Sequence, residues 1–186
     1  GTVVLGNFDG AKQAATHLLA QGHRQIVHLT GQVDFGDTIA RLSGLAAGLV
    51  EFGLGMDDIH VVNGNFSEEF GYDATQDLVR SGRPFTAIFA GSDDIAAGVL
   101  LALRENGRRV PEDVSVVGFD DAFHARHLWP PLTTVRQPVK SLGEAAANLL
   151  LGFMARPDQP PVQTIVETNL VVRASVGAPL KQRQVA

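Results

Sequence analysis

Three observations predict an α/β fold, a mainly parallel sheet flanked by helices. Apolar residues switch repeatedly between strand-like runs and helical spacing along the chain. The stretch 85–90 is a continuous apolar run, as a strand covered on both faces requires. Glycine closes the helical stretches, at Gly22, at Gly53 and at Asn106-Gly107.

The elements follow in order. Residues 1–5 read as an apolar strand with no turn residues before it, so the chain is expected to be a piece of a longer protein. Ala14, Ala15, Leu18 and Leu19 share one helical face over 11–21, and 26–29 form the second strand. Leu42, Leu45, Ala46 and Leu49 repeat that spacing over 39–52, ahead of a strand at 59–62. A helix over 68–79 ends before the Arg83-Pro84 turn, and strand 85–90 follows. Ser92 or Asp93 caps a helix running to 105, and 114–118 form the next strand, with Phe119-Asp120-Asp121 just beyond it. Strand 133–135 leads to helix 141–154, a Pro157–Pro161 turn and one long strand over 162–172. Residues 181–186 read as a frayed tail.

Composition excludes several function classes. The chain has 186 residues, 45% of them apolar, enough for a substantial core. A formal net charge of -5 offers no basic surface for a phosphate backbone, so this stretch is not expected to grip DNA itself. With no cysteine, thiolate chemistry and disulfides are excluded and a cytoplasmic location is permitted. No apolar run reaches the roughly 18 residues of a membrane span, and no secretion signal opens the chain, so no membrane partner is expected.

Enzyme motifs fail in turn. The strand-to-helix turn Ala90-Gly91-Ser92-Asp93-Asp94 lacks the second glycine of a nucleophile elbow. A phosphate loop is absent, and Gly53-Leu54-Gly55 follows a helix and lacks the later glycine of a dinucleotide site. His124 and His127 form one close pair without a third ligand, so neither a metal nor a cofactor is assigned.

In open α/β sheets, ligands sit beyond the carboxyl ends of the strands. That rule selects Asn7, residues 34–41 with Arg41, Asn65-Phe66, Ser92-Asp93 and Asp120-Asp121. Carboxylates and an amide, a guanidinium fork and an aromatic face suit a neutral, hydroxyl-rich ligand such as a sugar or nucleoside. Plainer readings stand beside these. Ser92 and Asp93 are good helix caps, Asp120-Asp121 can be turn formers, Arg41 can pair with Asp37 on the surface, and Phe66 can be core.

The stretch 110–121, Val-Pro-Glu-Asp-Val-Ser-Val-Val-Gly-Phe-Asp-Asp, followed by Pro-Leu-Thr-Thr-Val-Arg-Gln-Pro at 131–138, resembles the LacI/GalR family of transcription regulators. Supporting pieces are Arg41-Leu42-Ser43-Gly44, Thr86-Ala87-Ile88-Phe89-Ala90 and the ending Leu170-Val171-Val172-Arg173-Ala174-Ser175. The resemblance implies a periplasmic-binding-protein type I fold with two lobes joined by three crossover strands, an effector in the cleft, and a dimer whose DNA-binding head lies outside this chain. It divides the chain into a crossover strand (1–6), a C-terminal effector lobe (7–135), a return segment of the other lobe (136–165) and a final crossover and strand (166–180). One lobe is then nearly complete and the other only partly present.

Carried over by position, the resemblance makes Arg41 and Asp120 contacts to effector hydroxyls and Phe66 a ring platform. Ser92 stands where many members carry Asn, while Asp93 is kept. Asn7 follows the first strand without the carboxylate usually before it, and Gln137 lies in the second crossover. The expected function is an effector-sensing domain with a sugar or nucleoside-like ligand, acting on operator DNA through the head. The alternative is the solute-binding component of a sugar transporter.

Overall fold

A computed structural model describes residues 1–180 of the chain; the expected tail, 181–186, lies outside the described residues. The strands are β1 (Thr2–Leu5), β2 (Ile26–Thr30), β3 (His60–Asn63), β4 (Ala87–Ala90), β5 (Ser115–Asp120), β6 (Thr133–Arg136), β7 (Gln163–Val166) and β8 (Asn169–Val171). The helices are α1 (Asn7–Ala20), α2 (Gly36–Val50), α3 (Glu68–Ser81), α4 (Asp93–Glu105) and α5 (Val139–Ala155).

Six strands form one sheet in the order β3-β2-β4-β5-β6-β8, parallel except for β8, which runs antiparallel to β6. Every residue of β2 and β4 is buried, because helices cover both faces of the sheet. The side chains of α1 and α2 pack with Ile26, Phe89 and Phe119 on one face. Those of α3 and α4 pack with Val27, Leu29 and Ile88 on the other. Alternation along β2 and β4 therefore feeds two cores from each strand.

The smaller sheet pairs β1 with β7 in parallel, with α5 against it. None of the α5 residues is buried, and Leu150, Leu151 and Met154 are exposed. The chain passes between the two sheets three times, at 5–7, at 136–139 and at 166–169. The Thr168 hydroxyl donates to the Gly6 carbonyl at 2.8 Å and so ties the first passage to the third.

Several expectations are corrected. The single long strand over 162–172 is two strands in different sheets, broken at Glu167-Thr168 where the chain changes sheet. The first helix starts at Asn7, a full turn before 11, so its opening turn carries polar residues that periodicity could not separate from a loop. Strand β5 runs on through Phe119 and Asp120, which pair with β6.

Candidate functional site

The connection after β2 runs over one face through α2 to β3, and the one after β3 runs over the other face through α3 to β4, so the order of the sheet reverses between β2 and β4. A crevice opens at such a reversal, beyond the carboxyl ends of the strands. Arg41 stands on the buried face of α2, one turn from Leu45, and reaches into that crevice. Although it is a cation, it is only 4% exposed. A buried charge is tolerated only when partners surround it.

Those partners come from separate elements. The Arg41 Nε donates to Asn7 Oδ1 at 2.9 Å, at the start of α1. One terminal nitrogen donates to the carbonyl of Gly91, just past β4. The other lies 3.6 Å from Asp120 Oδ1 at the end of β5, within ion-pair range but beyond a hydrogen bond. The guanidinium lies 3.8 Å from the centre of the Phe119 ring and 5.6 Å from that of Phe66. Burial lowers the Arg41 pKa while Asp120, Asp37 and Asp93 oppose that effect, and the group stays charged.

Phe66, in the loop after β3, is partly buried against the α3/α4 core. Its ring lies over the backbone of Gly31, where a Cβ would come within 2.2 Å of it, so only glycine admits this packing. Asn7 also donates from Nδ2 to Asp37 at 3.0 Å. Asp37 thus serves Asn7, and the alternative of a surface Arg41–Asp37 pair is overturned by the burial of Arg41.

Asp120 is the meeting point. Gln137 Nε2 donates to Asp120 Oδ1 at 2.5 Å, and the backbone N–H of Asp93 also bonds its carboxylate. Burial pushes its pKa up to about 7; Arg41 pulls the other way, and Asp93 adds to the rise. Asp93 is itself fully buried, accepting from Thr134 Oγ1 at 2.6 Å and from the Ala122 N–H at 2.7 Å. Burial raises its pKa to about 6 against those two hydrogen bonds. Ser92 caps α4, its hydroxyl accepting from the Ile95 N–H at 3.2 Å.

Asp120 and Asp121 have φ of 119° and 53°, the positive values found at non-glycine positions among the described residues. Each costs on the order of 1–3 kcal/mol and persists only where the surroundings hold it. The reading of these two as turn formers satisfying their own backbone is overturned, since both carboxylates bond residues more than ten positions away.

Arg41, Asn7, Asp120 and Phe66 therefore gather around one guanidinium, Gln137 and Asp93 stand behind Asp120, and Ser92 is occupied by its helix. Sequence reasoning missed Phe119, hidden in a buried strand, and the Gly91 carbonyl, which no side-chain pattern reports. It also missed His28, buried and stacked on Phe89 at 4.7 Å on the α1/α2 face.

The sequence profile of the periplasmic binding protein-like domain matches residues 15–176. The chain is 38% identical over 173 residues to the HTH-type transcriptional regulator CelR of Thermobifida fusca, covering 93% of this chain and 51% of that protein. This chain belongs to the LacI/GalR family. It spans about half the length of the curated relatives it matches. Among solved structures of the family, a LacI-family regulator from Enterococcus faecium with bound ribose superposes with a TM-score of 0.89 at 31% identity, over 96% of this chain and 66% of the other. A CelR–cellobiose complex superposes with a TM-score of 0.87 at 38% identity, over 93% of this chain and 53% of the other. The match agrees with the α/β class and with the resemblance carried by 110–121 and 131–138.

Proposed function

We propose that this LacI/GalR chain is the effector-sensing part of a transcription regulator, binding a small hydroxyl-rich ligand, a sugar or nucleoside, in the crevice between β2 and β4. The observation that carries this is the buried Arg41, which draws together the ends of β4 and β5 and the start of α1 between two aromatic rings. A guanidinium next to a carboxylate it does not directly hydrogen-bond offers a hydroxyl both a donor and an acceptor. Asp120 and Gln137 extend the polar wall, Phe66 supplies a ring face, and Asn7, Asp93 and Ser92 hold the wall in place. Similar proteins with bound ribose and cellobiose support a sugar.

The role is binding without turnover. The Ser92 hydroxyl is committed to capping, Asp93 is committed to Thr134 and the Ala122 N–H, and among the described residues no activating base stands beside a hydroxyl in the crevice to make a nucleophile of it. The longer protein acts in the cytoplasm as a homodimer and meets operator DNA through segments outside this chain. Exposed aromatics support the dimer: Trp129 is 87% and Phe123 76% exposed around one short turn. That the relatives are named as regulators weighs against the transporter alternative.

Calorimetric titration of the full-length protein with ribose, cellobiose and a nucleoside panel tests the reading. Arg41→Ala should weaken binding roughly 10- to 150-fold, from the ~1.5–3 kcal/mol of a charge-assisted hydrogen bond. Unchanged affinity in both Arg41→Ala and Asp120→Ala would overturn the assignment.

A further inference from the structure

Asp121 touches no part of the crevice described above, yet its side chain is only 6% exposed. Its two oxygens are taken by arginines from opposite ends of the chain's passages between the sheets. Arg136 Nε donates to Oδ2 at 2.6 Å from the last residue of β6, where the second passage begins. The Arg173 NH2 group donates to Oδ1 from just past β8, where the third passage has ended. Arg173 is fixed in turn, its NH1 group donating to the Leu132 carbonyl at 2.7 Å and its backbone N–H to Thr133 Oγ1 at 2.9 Å.

The neighbouring residues repeat this link one position along. The Gln137 N–H donates to the Asp120 carbonyl at 3.0 Å while its side chain bonds the Asp120 carboxylate. Asp120-Asp121 and Arg136-Gln137 thus form a box, 120 joined to 137 and 121 to 136. The Asp121 N–H contacts Thr134 Oγ1 at 3.4 Å, a weak tether, so the double arginine clamp is the main restraint on Asp121, while Gln137 restrains Asp120. Burial alone would raise the Asp121 pKa, but hydrogen bonds from Arg173 and Arg136 outweigh it and hold the group below the ordinary carboxylate range.

We propose that Asp121 is a positioning residue: clamped by Arg136 and Arg173, it fixes the strained turn that aims Asp120 at Arg41, and so joins the ligand-facing carboxylate to the second and third passages. The inference rests on the effector-site reading for the word ligand; the clamp itself does not. Asp121→Asn keeps the shape and the tolerance of positive φ while removing the charge.

In the full-length protein, Asp121→Asn should speed hydrogen exchange of the Gln137 and Val139 amides at least tenfold and move the Gln137 side-chain amide resonances, with β2 and β4 exchange unchanged. Arg173→Met should do the same, and the double variant should add little to either single change. For ribose or cellobiose, Kd should rise about tenfold, while Leu103→Ala, a core change away from the crevice, leaves Kd unaltered in the folded protein. Unchanged exchange at Gln137 and Val139, or exchange that rises equally in β2 and β4, overturns the proposal. If neither sugar binds the parent protein, the sugar reading fails and the exchange pattern alone still decides the clamp. If Asp121→Asn does not fold, Arg136→Met with Arg136→Lys as the rescue replaces it, and failure of lysine to restore slow exchange at Gln137 and Val139 when Met has lost it counts against the charge clamp.

Discussion

His28 should make this domain acid-sensitive by an amount that can be worked out beforehand. Its ring is fully buried, Nδ1 bonds the Phe89 carbonyl at 2.9 Å, and Nε2 has no protein partner. A carbonyl can only accept, so Nδ1 carries the proton and Nε2 is bare. Burial pulls the pKa from 6.5 to about 4; the Phe89 carbonyl opposes this, and Arg41 adds to it. The folded state then refuses a proton that the unfolded chain accepts, and stability falls as pH drops from about 6.5 towards 4. Linkage puts the loss at about 2 kcal/mol at pH 5 and under about 0.1 kcal/mol at pH 7.5.

The perturbation is His28→Leu, close in volume and unable to titrate. Urea unfolding at both pH values reads the result, and the difference between the two proteins cancels groups that both retain. Among those, Asp93 and Asp120 have raised pKa values and gain stability as pH falls, opposite in sign to His28. The parent should lose about 2 kcal/mol more than His28→Leu between pH 7.5 and 5. Parallel losses in the two proteins would refute the assignment of a neutral, desolvated imidazole.

Two further outcomes follow from packing and capping. Gly44→Ala places a Cβ 2.0 Å from the Phe8 carbonyl oxygen, so α1 and α2 must part; thermal unfolding should register a loss of about 1–3 kcal/mol or more. Ser92→Ala removes the α4 cap and should cost about 1 kcal/mol in denaturant unfolding while changing sugar affinity by less than about threefold; a larger affinity loss would return Ser92 to direct ligand contact.

The fold was legible because two-sided burial leaves unmistakable runs. Strand β4 is apolar throughout and β2 is broken only by His28 and Thr30, and Gly22, Gly53 and Gly107, all at positive φ, sit where the helices stop. The break at Glu167-Thr168 was not legible, since Gln163–Val166 and Asn169–Val171 have similar strand character and differ only in which sheet receives them. At the candidate site, strand-end logic selected Arg41, Asp120 and Phe66, which the fold brings together. It could not assign partners: the Gly91 carbonyl and the Phe119 ring act through tertiary placement. His23 illustrates the same limit. Its imidazole bonds both the Thr86 hydroxyl and the Gly177 carbonyl, the latter 154 residues away, and nothing in its neighbourhood along the sequence announces this.

The three strands of backbone between the sheets also dictate how the two units can move. Three short tethers side by side resist sliding and separation, because either would stretch at least one of them. They yield most readily to a rotation about an axis running through all three. Thr168 and Gly6 lock two tethers to each other, and the arginine pair on Asp121 gathers the exits of the remaining one and its neighbour. A swing of the small sheet would therefore be felt first as torsion at Gly6, Gln137 and Thr168, with the six-stranded sheet turning as a solid block.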